Sequence, residues 1–251
     1  MKIDAIVLAG STNEGRLRQC SPVENEALIP IGNRIMLDYV VAALLSAQEI
    51  EQIAIVGPKN QLEALYASNS RIILVDSGET VIDSFIAGVK VLAPQGHILI
   101  ATGDIPLLSA EAVEAFLARC TDKEVDLYYP VVSKEANERL YPAVKRTYLH
   151  LKDGIYTGGN IFLFNPFKLD SCIDKGRELV SLRKSPLALS KLIGLIFIIK
   201  YLTRQLSLQE IERQFSRLLG LKGKAVILDY PEIGIDVDKP SDLELVRRVL
   251  A

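Results

Sequence analysis

The chain alternates short apolar runs with amphipathic stretches. Ile3, Ala5, Ile6, Val7 and Leu8 form a run that stops at Ala9-Gly10, as a buried parallel strand does when a glycine-bearing loop follows it. Residues 35–47 then place Met36, Val40, Leu44 and Ala47 on one helical face. Ile53 to Val56 read as a second strand, stopped by Gly57-Pro58, and residues 60–67 as a helix. Ile72 to Val75 supply a third strand ending at Asp76-Ser77-Gly78, residues 79–92 a helix, and His97 to Ala101 a fourth strand ending at Thr102-Gly103-Asp104. Ser109 caps a helix through Arg119, with Glu111 and Ala112 in its first turn. This alternation requires right-handed crossovers and predicts a three-layer, Rossmann-like α/β fold around a mainly parallel sheet.

The pattern changes after residue 125. Asp126 to Val132, Ala143 to Leu151 and Gly159 to Phe164 read as strands, with Lys152-Asp153-Gly154 as a hairpin turn. Residues 185–204 and 207–219 read as helices, the second capped by Ser207 with Glu210 three positions on. A last strand, Ala225 to Leu228, precedes Asp236 and a helix starting near Pro240. With no repeat and no low-complexity linker, residues 1–251 read as a single domain with a helical insertion at about 170–222. Within 187–202, the run Leu-Ile-Gly-Leu-Ile-Phe-Ile-Ile (192–199) is far shorter than the ~20 residues a bilayer span needs. A buried helix over the sheet, a membrane-surface contact and homodimer packing are the three readings it leaves.

Composition narrows the chemistry. A formal net charge of −2 gives no field favouring nucleic acid. Cys20, Cys120 and Cys172 form no CxxC pair, and no signal peptide is apparent, which predicts a reduced, cytoplasmic chain. His97 and His150 are too few for a histidine-rich metal site, and no GxSxG elbow supports a serine hydrolase. A metal here would be held by carboxylates, as Mg2+ or Mn2+ is.

In open α/β sheets, ligands bind beyond the carboxyl ends of the strands. Three polar loops lie there: Gly10-Ser11-Thr12, Ser77-Gly78-Glu79-Thr80 and Gly103-Asp104. The first, running from Leu8-Ala9-Gly10-Ser11 to Arg16, has small residues that let backbone N–H groups approach phosphate, with Arg16 or Arg18 to balance charge. An ordinary turn is the alternative, and the missing Lys-Ser/Thr rules out a P-loop. Asp104, straight after an apolar strand, is placed to bridge a divalent cation to phosphates, or else to serve as a turn residue. Asp236 and Asp238, two apart in an extended segment, share one face and can point at the same ion, with helix capping as the alternative for whichever is not a ligand.

These residues resemble a known family. Ile6-Val7-Leu8-Ala9-Gly10, Ala27-Leu28-Ile29-Pro30-Ile31-Gly32 and Met36-Leu37-Asp38-Tyr39-Val40-Val41 are similar to the start of MobA-like nucleoside-triphosphate transferases. That group includes sugar-1-phosphate, molybdenum-cofactor and methylerythritol-phosphate nucleotidyltransferases. Gly103-Asp104-Ile105-Pro106 matches its GDxP metal element, Tyr156-Thr157-Gly158-Gly159-Asn160 its acceptor-phosphate strand, and Asp236 to Leu243 its terminal Asp-x-Asp-x-Pro-x-Asp-Leu element. The resemblance covers roughly residues 1–170 and 225–251.

It implies the nucleotide-diphospho-sugar transferase fold, like the nucleotide-binding half of A-type glycosyltransferases. The implied activity is Mg2+-dependent transfer of NMP from an NTP to a small phosphorylated acceptor, with pyrophosphate released. Asp104 with Asp236 or Asp238 would hold the metal. Leu8, Ala9, Gly10, Ser11, Ser77, Gly78 and Thr80 would hold the nucleotide, and Thr157, Gly159 and Asn160 the acceptor. Arg16 and Lys145 are the candidate catalytic cations. The family pattern Gly-Gly-x-Gly-x-Arg followed by a phosphate-binding lysine is not kept: the loop reads Gly10-Ser11-Thr12-Asn13-Glu14-Gly15-Arg16, and Glu26 precedes Ala27-Leu28. A carboxylate facing a triphosphate is unfavourable by Coulomb sign unless compensated; Lys145-Arg146, beside the expected acceptor strand, are candidates to compensate, with a solvated edge strand as the alternative. A non-catalytic nucleotide-binding or regulatory protein on the same fold is the alternative. An A-type glycosyltransferase would carry Asp-x-Asp where this chain has Gly103-Asp104-Ile105-Pro106.

Overall fold

The computed structural model describes residues 2–142, 144–182 and 192–250. In chain order, the first half comprises β1 (Ile3–Leu8), the small hairpin β2 (Pro30–Ile31) and β3 (Arg34–Ile35), α1 (Met36–Ser46), β4 (Ile50–Gly57), α2 (Lys59–Tyr66), β5 (Ile72–Asp76), α3 (Val81–Leu92), β6 (Ile98–Thr102) and α4 (Ala110–Arg119). The second half comprises β7 (Leu127–Ser133), α5 (Lys134–Leu140), β8 (Leu149–Leu151), β9 (Gly154–Gly158), β10 (Ile161–Phe164), α6 (Leu169–Leu182), α7 (Leu195–Leu202), α8 (Leu208–Leu219), β11 (Gly223–Leu228) and α9 (Pro240–Leu250).

The main sheet runs β5-β4-β1-β6-β10-β7-β9-β8, with β11 added beside β7. Strands β5, β4, β1 and β6 pair in parallel, as the strand–helix alternation predicts. The central strands are apolar on both faces because helices cover both. Ala5, Val7, Ile53, Ile55, Leu99 and Ala101 pack in the layer that includes α1 and α4. Their alternating neighbours Ile6, Ala54, Val56, Ile98 and Ile100 pack with Phe85 of α3 and Cys172 of α6. The period-two alternation along each strand thus builds two cores from one sheet.

Past β6 the sheet turns mixed. β10 is antiparallel to both β6 and β7, and β9 continues antiparallel to β7. Between β9 and β10, residues 159–162 oppose only Tyr129 and Pro130, so the strand bulges out of its ladder. The freed backbone is satisfied elsewhere: Gly159 N donates to Pro130 O (2.9 Å), Asn160 N to Ile233 O (2.9 Å), and Thr102 N to Asn160 O (3.1 Å). The bulge therefore carries Gly159-Asn160 to the carboxyl end of β6, beside Asp104.

Several sequence expectations are corrected. The helix expected over 185–204 is interrupted at Gly194, whose φ of 100° is outside the helical region, and α7 starts after it. Residues 185–191 of that expectation lie outside the described residues. Of the strand expected over 143–151, only 149–151 joins the ladder; 144–148 has no strand partner, and Ala143 lies outside the described residues. Of the strand expected over 159–164, only 161–164 joins the ladder, with Gly159-Asn160 on the bulge, and β9, α5 and the β2–β3 hairpin have no counterpart among the expected elements.

One residue closes the second half of the sheet. The Asp126 carboxylate, 8% exposed, accepts from Lys222 N (2.9 Å) and Asn165 Nδ2 (3.2 Å). Its backbone N donates to Lys222 O and its carbonyl accepts from Asn165 N, both at 2.7 Å. Asp126 thereby joins the start of β7, the end of β10 and the start of β11. Asp126→Ala, which strands two donors, is expected to lower stability by about 1–3 kcal/mol, read as a fall in the urea midpoint with an unchanged m-value.

Candidate functional site

The three loops singled out in the sequence converge. A Cβ on Gly10 would lie 2.3 Å from Ser77 Oγ, so the loops after β1 and β5 touch and a side chain at position 10 would have to displace the Ser77 hydroxyl. Gly103 N donates to Leu8 O (2.9 Å), and a Cβ on Gly103 would lie 3.3 Å from Ala9 Cα, seating the third loop against the first. Gly78 N donates to the Ser84 hydroxyl (3.0 Å). The Thr80 hydroxyl is engaged as the α3 N-cap in a reciprocal box with Asp83, so any ligand contact from it competes with that cap.

The first loop is ordered by its own polar side chains. Buried Asn13 donates through Nδ2 to Ser21 O (3.1 Å) and Val23 O (3.0 Å), and Asn25 Nδ2 donates to Ala9 O (3.0 Å). Arg18 is held by Pro22 O (2.6 Å) and Val23 O (3.0 Å), which leaves exposed Arg16 as the loop's cation with neither a hydrogen-bond nor an ion-pair partner among the described residues. Glu26 N donates to Ser11 O (3.0 Å), folding the loop back so that Glu26 comes under the influence of Asp104 and Asp238.

Asp104, Asp236 and Asp238 form a cluster in which one carboxylate oxygen from each lies within 4.8 Å of the others. Val237 N donates to Asp104 O (2.9 Å), and this bond brings the C-terminal segment onto the end of β6. Burial pushes the Asp104 carboxyl up to about 6 against the pull of the Thr102 hydroxyl, with Asp236 and Asp238 adding to the rise. Burial, then Asp104 and Asp238, pushes Glu26 up to about 7. Asp238 is likewise raised, by burial and then by Asp236. Asp104 Oδ1 is buried with no hydrogen-bond partner. Three clustered carboxylates, one with an oxygen left free, are the donor set of a hard divalent cation, and the residues present fit one.

Arg146, rather than Lys145, reaches this cluster: its Nη1 pairs with Asp236 Oδ1, while Lys145 is exposed beside Lys239 and Asp242 on a neighbouring depression. In extended chain, adjacent residues point to opposite sides, and the sequence does not say which one turns inward. Of the expected acceptor residues, Thr157 is buried in the ladder opposite Val132, whereas Gly159 and Asn160 sit on the bulge beside β6. Asn160 Nδ2 and Arg146 Nε are both buried and unpartnered, leaving two donors near the carboxylate cluster.

A parallel sheet with paired loops and carboxylates at its carboxyl edge, continued by a bulged antiparallel strand, defines the nucleotide-diphospho-sugar transferase class of fold. The chain belongs to the family of the MobA-like NTP transferase domain, whose model matches residues 5–167. A structure described as a hypothetical transferase from Thermus thermophilus shares 35% identity over 97% of this chain and 100% of its own, with a TM-score of 0.85. The synthase of 4-diphosphocytidyl-2C-methyl-D-erythritol from Anaerococcus prevotii DSM 20548 superposes at a TM-score of 0.57, with 16% identity over 99% of this chain and 96% of that one. A CMP:2-keto-3-deoxy-manno-octonic acid synthetase complexed with CTP superposes at 0.60, with 15% identity over 100% and 98%. These last two share the fold. The 2-C-methyl-D-erythritol 4-phosphate cytidylyltransferase of Klebsiella pneumoniae is 27% identical over 100 residues, which spans 39% of this chain and 42% of that protein.

The crowded carboxylates set a pH dependence. Glu26 and Asp104 bind protons more tightly folded than at their ordinary values of 4.5 and 3.8. The folded state therefore binds more protons between those values and the raised ones, and stability falls as pH rises through that window. In the presence of chelator, the Tm is expected to decline from the ordinary carboxylate range up to about 7, the folded value of Glu26. Glu26→Gln should flatten the upper part of that decline, raising the Tm at about pH 8 and leaving it unchanged at about pH 4. A wild-type Tm that climbs through the window would refute the crowding.

Proposed function

We propose that the protein is a divalent-metal-dependent nucleotidyltransferase that moves NMP from an NTP to a small phosphorylated acceptor. The observation that carries this reading is the Asp104–Asp236–Asp238 cluster at the carboxyl end of β6, in which Asp104 Oδ1 is buried and unpartnered. Asp104, Asp236 and Asp238 would hold Mg2+ or Mn2+, which when bound offsets charge on the triphosphate and on the leaving pyrophosphate. The Leu8–Ser11 loop, with Ser77 and Gly78, would cradle the nucleotide through backbone donors, and Arg16 would meet its phosphates at the open side. Gly159 and Asn160 on the bulge, with Arg146, would receive the acceptor's phosphate. An acceptor phosphate oxygen forms a bond to the α-phosphorus as the bond from that phosphorus to the bridging oxygen breaks, and the electron pair leaves with pyrophosphate. No covalent enzyme intermediate is needed, so positioning and charge stabilisation are the protein's contribution.

Arg146 has two roles in this reading. Paired with Asp236 through Nη1, it offsets one carboxylate of the cluster, and its unpartnered Nε would be available to a phosphate. Glu26 is the observation that favours the second reading, a nucleotide binder without turnover, because it adds negative charge where the family resemblance leads one to expect a lysine.

A screen of NTPs against phosphate monoesters with Mg2+ is expected to give pyrophosphate release that Asp104→Ala lowers by about 100-fold or more. Arg146→Gln should raise the KM for the acceptor more than that for the NTP. Calorimetry showing NTP binding with Mg2+, yet no release above Asp104→Ala even after Glu26→Lys, would establish the second reading instead.

A further inference from the structure

Helix α7 is apolar on two opposite faces. Phe197 and Tyr201, one turn apart, pack inward with Leu208 and Ile211 against Val131, Leu151 and Tyr156. On the other side, Ile196, Ile199 and Leu202 stand 74%, 51% and 73% exposed in one row, at the i, i+3, i+6 spacing of a single helix face. A helix apolar all round belongs in a buried setting, and an exposed row of aliphatics marks an interaction surface where scattered ones do not. The row also stands on a firm support. Lys152 N donates to Leu206 O (2.8 Å), Leu208 N to the Asp153 carboxylate (3.1 Å), and Lys200 pairs with Glu210, which closes the capping box of α8.

The charge around the row is positive. Arg213 and Arg217 on α8 are exposed and have no ion-pair partner among the described residues, and with Ile196 and Phe197 they border one open cavity of about 600 Å³. Arg204 follows α7 directly. In sequence, residues 183–222 hold eight lysines and arginines against Glu210 and Glu212, in a chain whose formal net charge is −2. The remainder of the chain is therefore acidic, and the stretch of sequence that carries the apolar row is its basic part.

We propose that α7 lies on the surface of an anionic phospholipid bilayer. Ile196, Ile199 and Leu202 enter the headgroup–acyl boundary while Arg213 and Arg217 meet lipid phosphates. At eight residues the helix rests on a membrane and does not cross it; no described helix is long and apolar enough to cross one. A second copy of the chain is the poorer occupant, because a two-fold contact centred on α7 brings the arginines of one copy toward those of the other. The inference is independent of the proposed catalytic reading.

Co-sedimentation of the full chain with vesicles is the test. Binding is expected to phosphatidylcholine vesicles containing about one third phosphatidylglycerol, and not to pure phosphatidylcholine. Ile199→Asp/Leu202→Asp and Arg213→Gln/Arg217→Gln should each weaken it by about tenfold or more. Circular dichroism checks each fold, and Ile199→Ser/Leu202→Ser, with a smaller loss, guards against an aspartate variant that unfolds. Failure of the wild type to sediment with the anionic vesicles overturns the proposal, as does equal binding by the folded variants. So does a vesicle-free dimer, seen by sedimentation velocity, that the aspartate variant splits.

Discussion

The structure turns on a repulsion it has to contain. Asp104, Asp236 and Asp238 come from the end of β6 and from a segment more than 130 residues away, yet their oxygens lie within 4.8 Å of one another. Like charges about 4 Å apart repel by about 4 kcal/mol at an effective dielectric near 20. The fold meets this with the Val237 N to Asp104 O hydrogen bond, the Arg146 pair and raised proton affinity at Asp104 and Asp238. Behind these stand apolar anchors: Ile235 and Val237 are fully buried with Leu17, Ile29, Met36 and Leu243, so the carboxylates are carried on a segment that cannot retreat. A cation would relieve the remaining strain among the charges.

Much of this was legible in the chain because strand cores and their loops are local signals. The runs at 3–8, 53–56, 72–75 and 98–101 are apolar on both faces, and the loops that follow them are short, so their convergence follows from parallel topology alone. What was not legible depends on tertiary context. Gly194 reads as a tolerable residue within an apolar helical run, and only its backbone angle reveals the break. Residues 144–148 have the apolar and basic pattern of an edge strand, but leave the ladder where Arg146 meets Asp236. The choice between Lys145 and Arg146 is a matter of phase along an extended segment, which composition does not carry. Thr157 and Asn160, three residues apart in one motif, end up in a buried ladder and on the bulge because the ladder breaks between them.

Glu26 shows how membership of a family leaves local chemistry free. The loop around it is held by Asn13 and Asn25 through backbone carbonyls, and none of those bonds requires a positive charge at position 26. The scaffold thus tolerates a lysine or a glutamate there, and the electrostatics of the crevice change without any change of fold. With four carboxylates and one paired arginine, the crevice of this chain carries an excess of acidic groups that the proposed cation would offset.

The contacts of Asp126 bear on how such a protein can diversify. Asn165 and Lys222 both bond to this one residue, so the chain leaves the sheet and returns to it at the same point. Helices α6, α7 and α8 form an excursion clasped at its base. Residues can be exchanged along its exposed face while β11 still enters in register and Asp236 still arrives beside Asp104. Lineages sharing this sheet are free to rebuild that outer face, and with it the choice of neighbour, at little risk to the crevice.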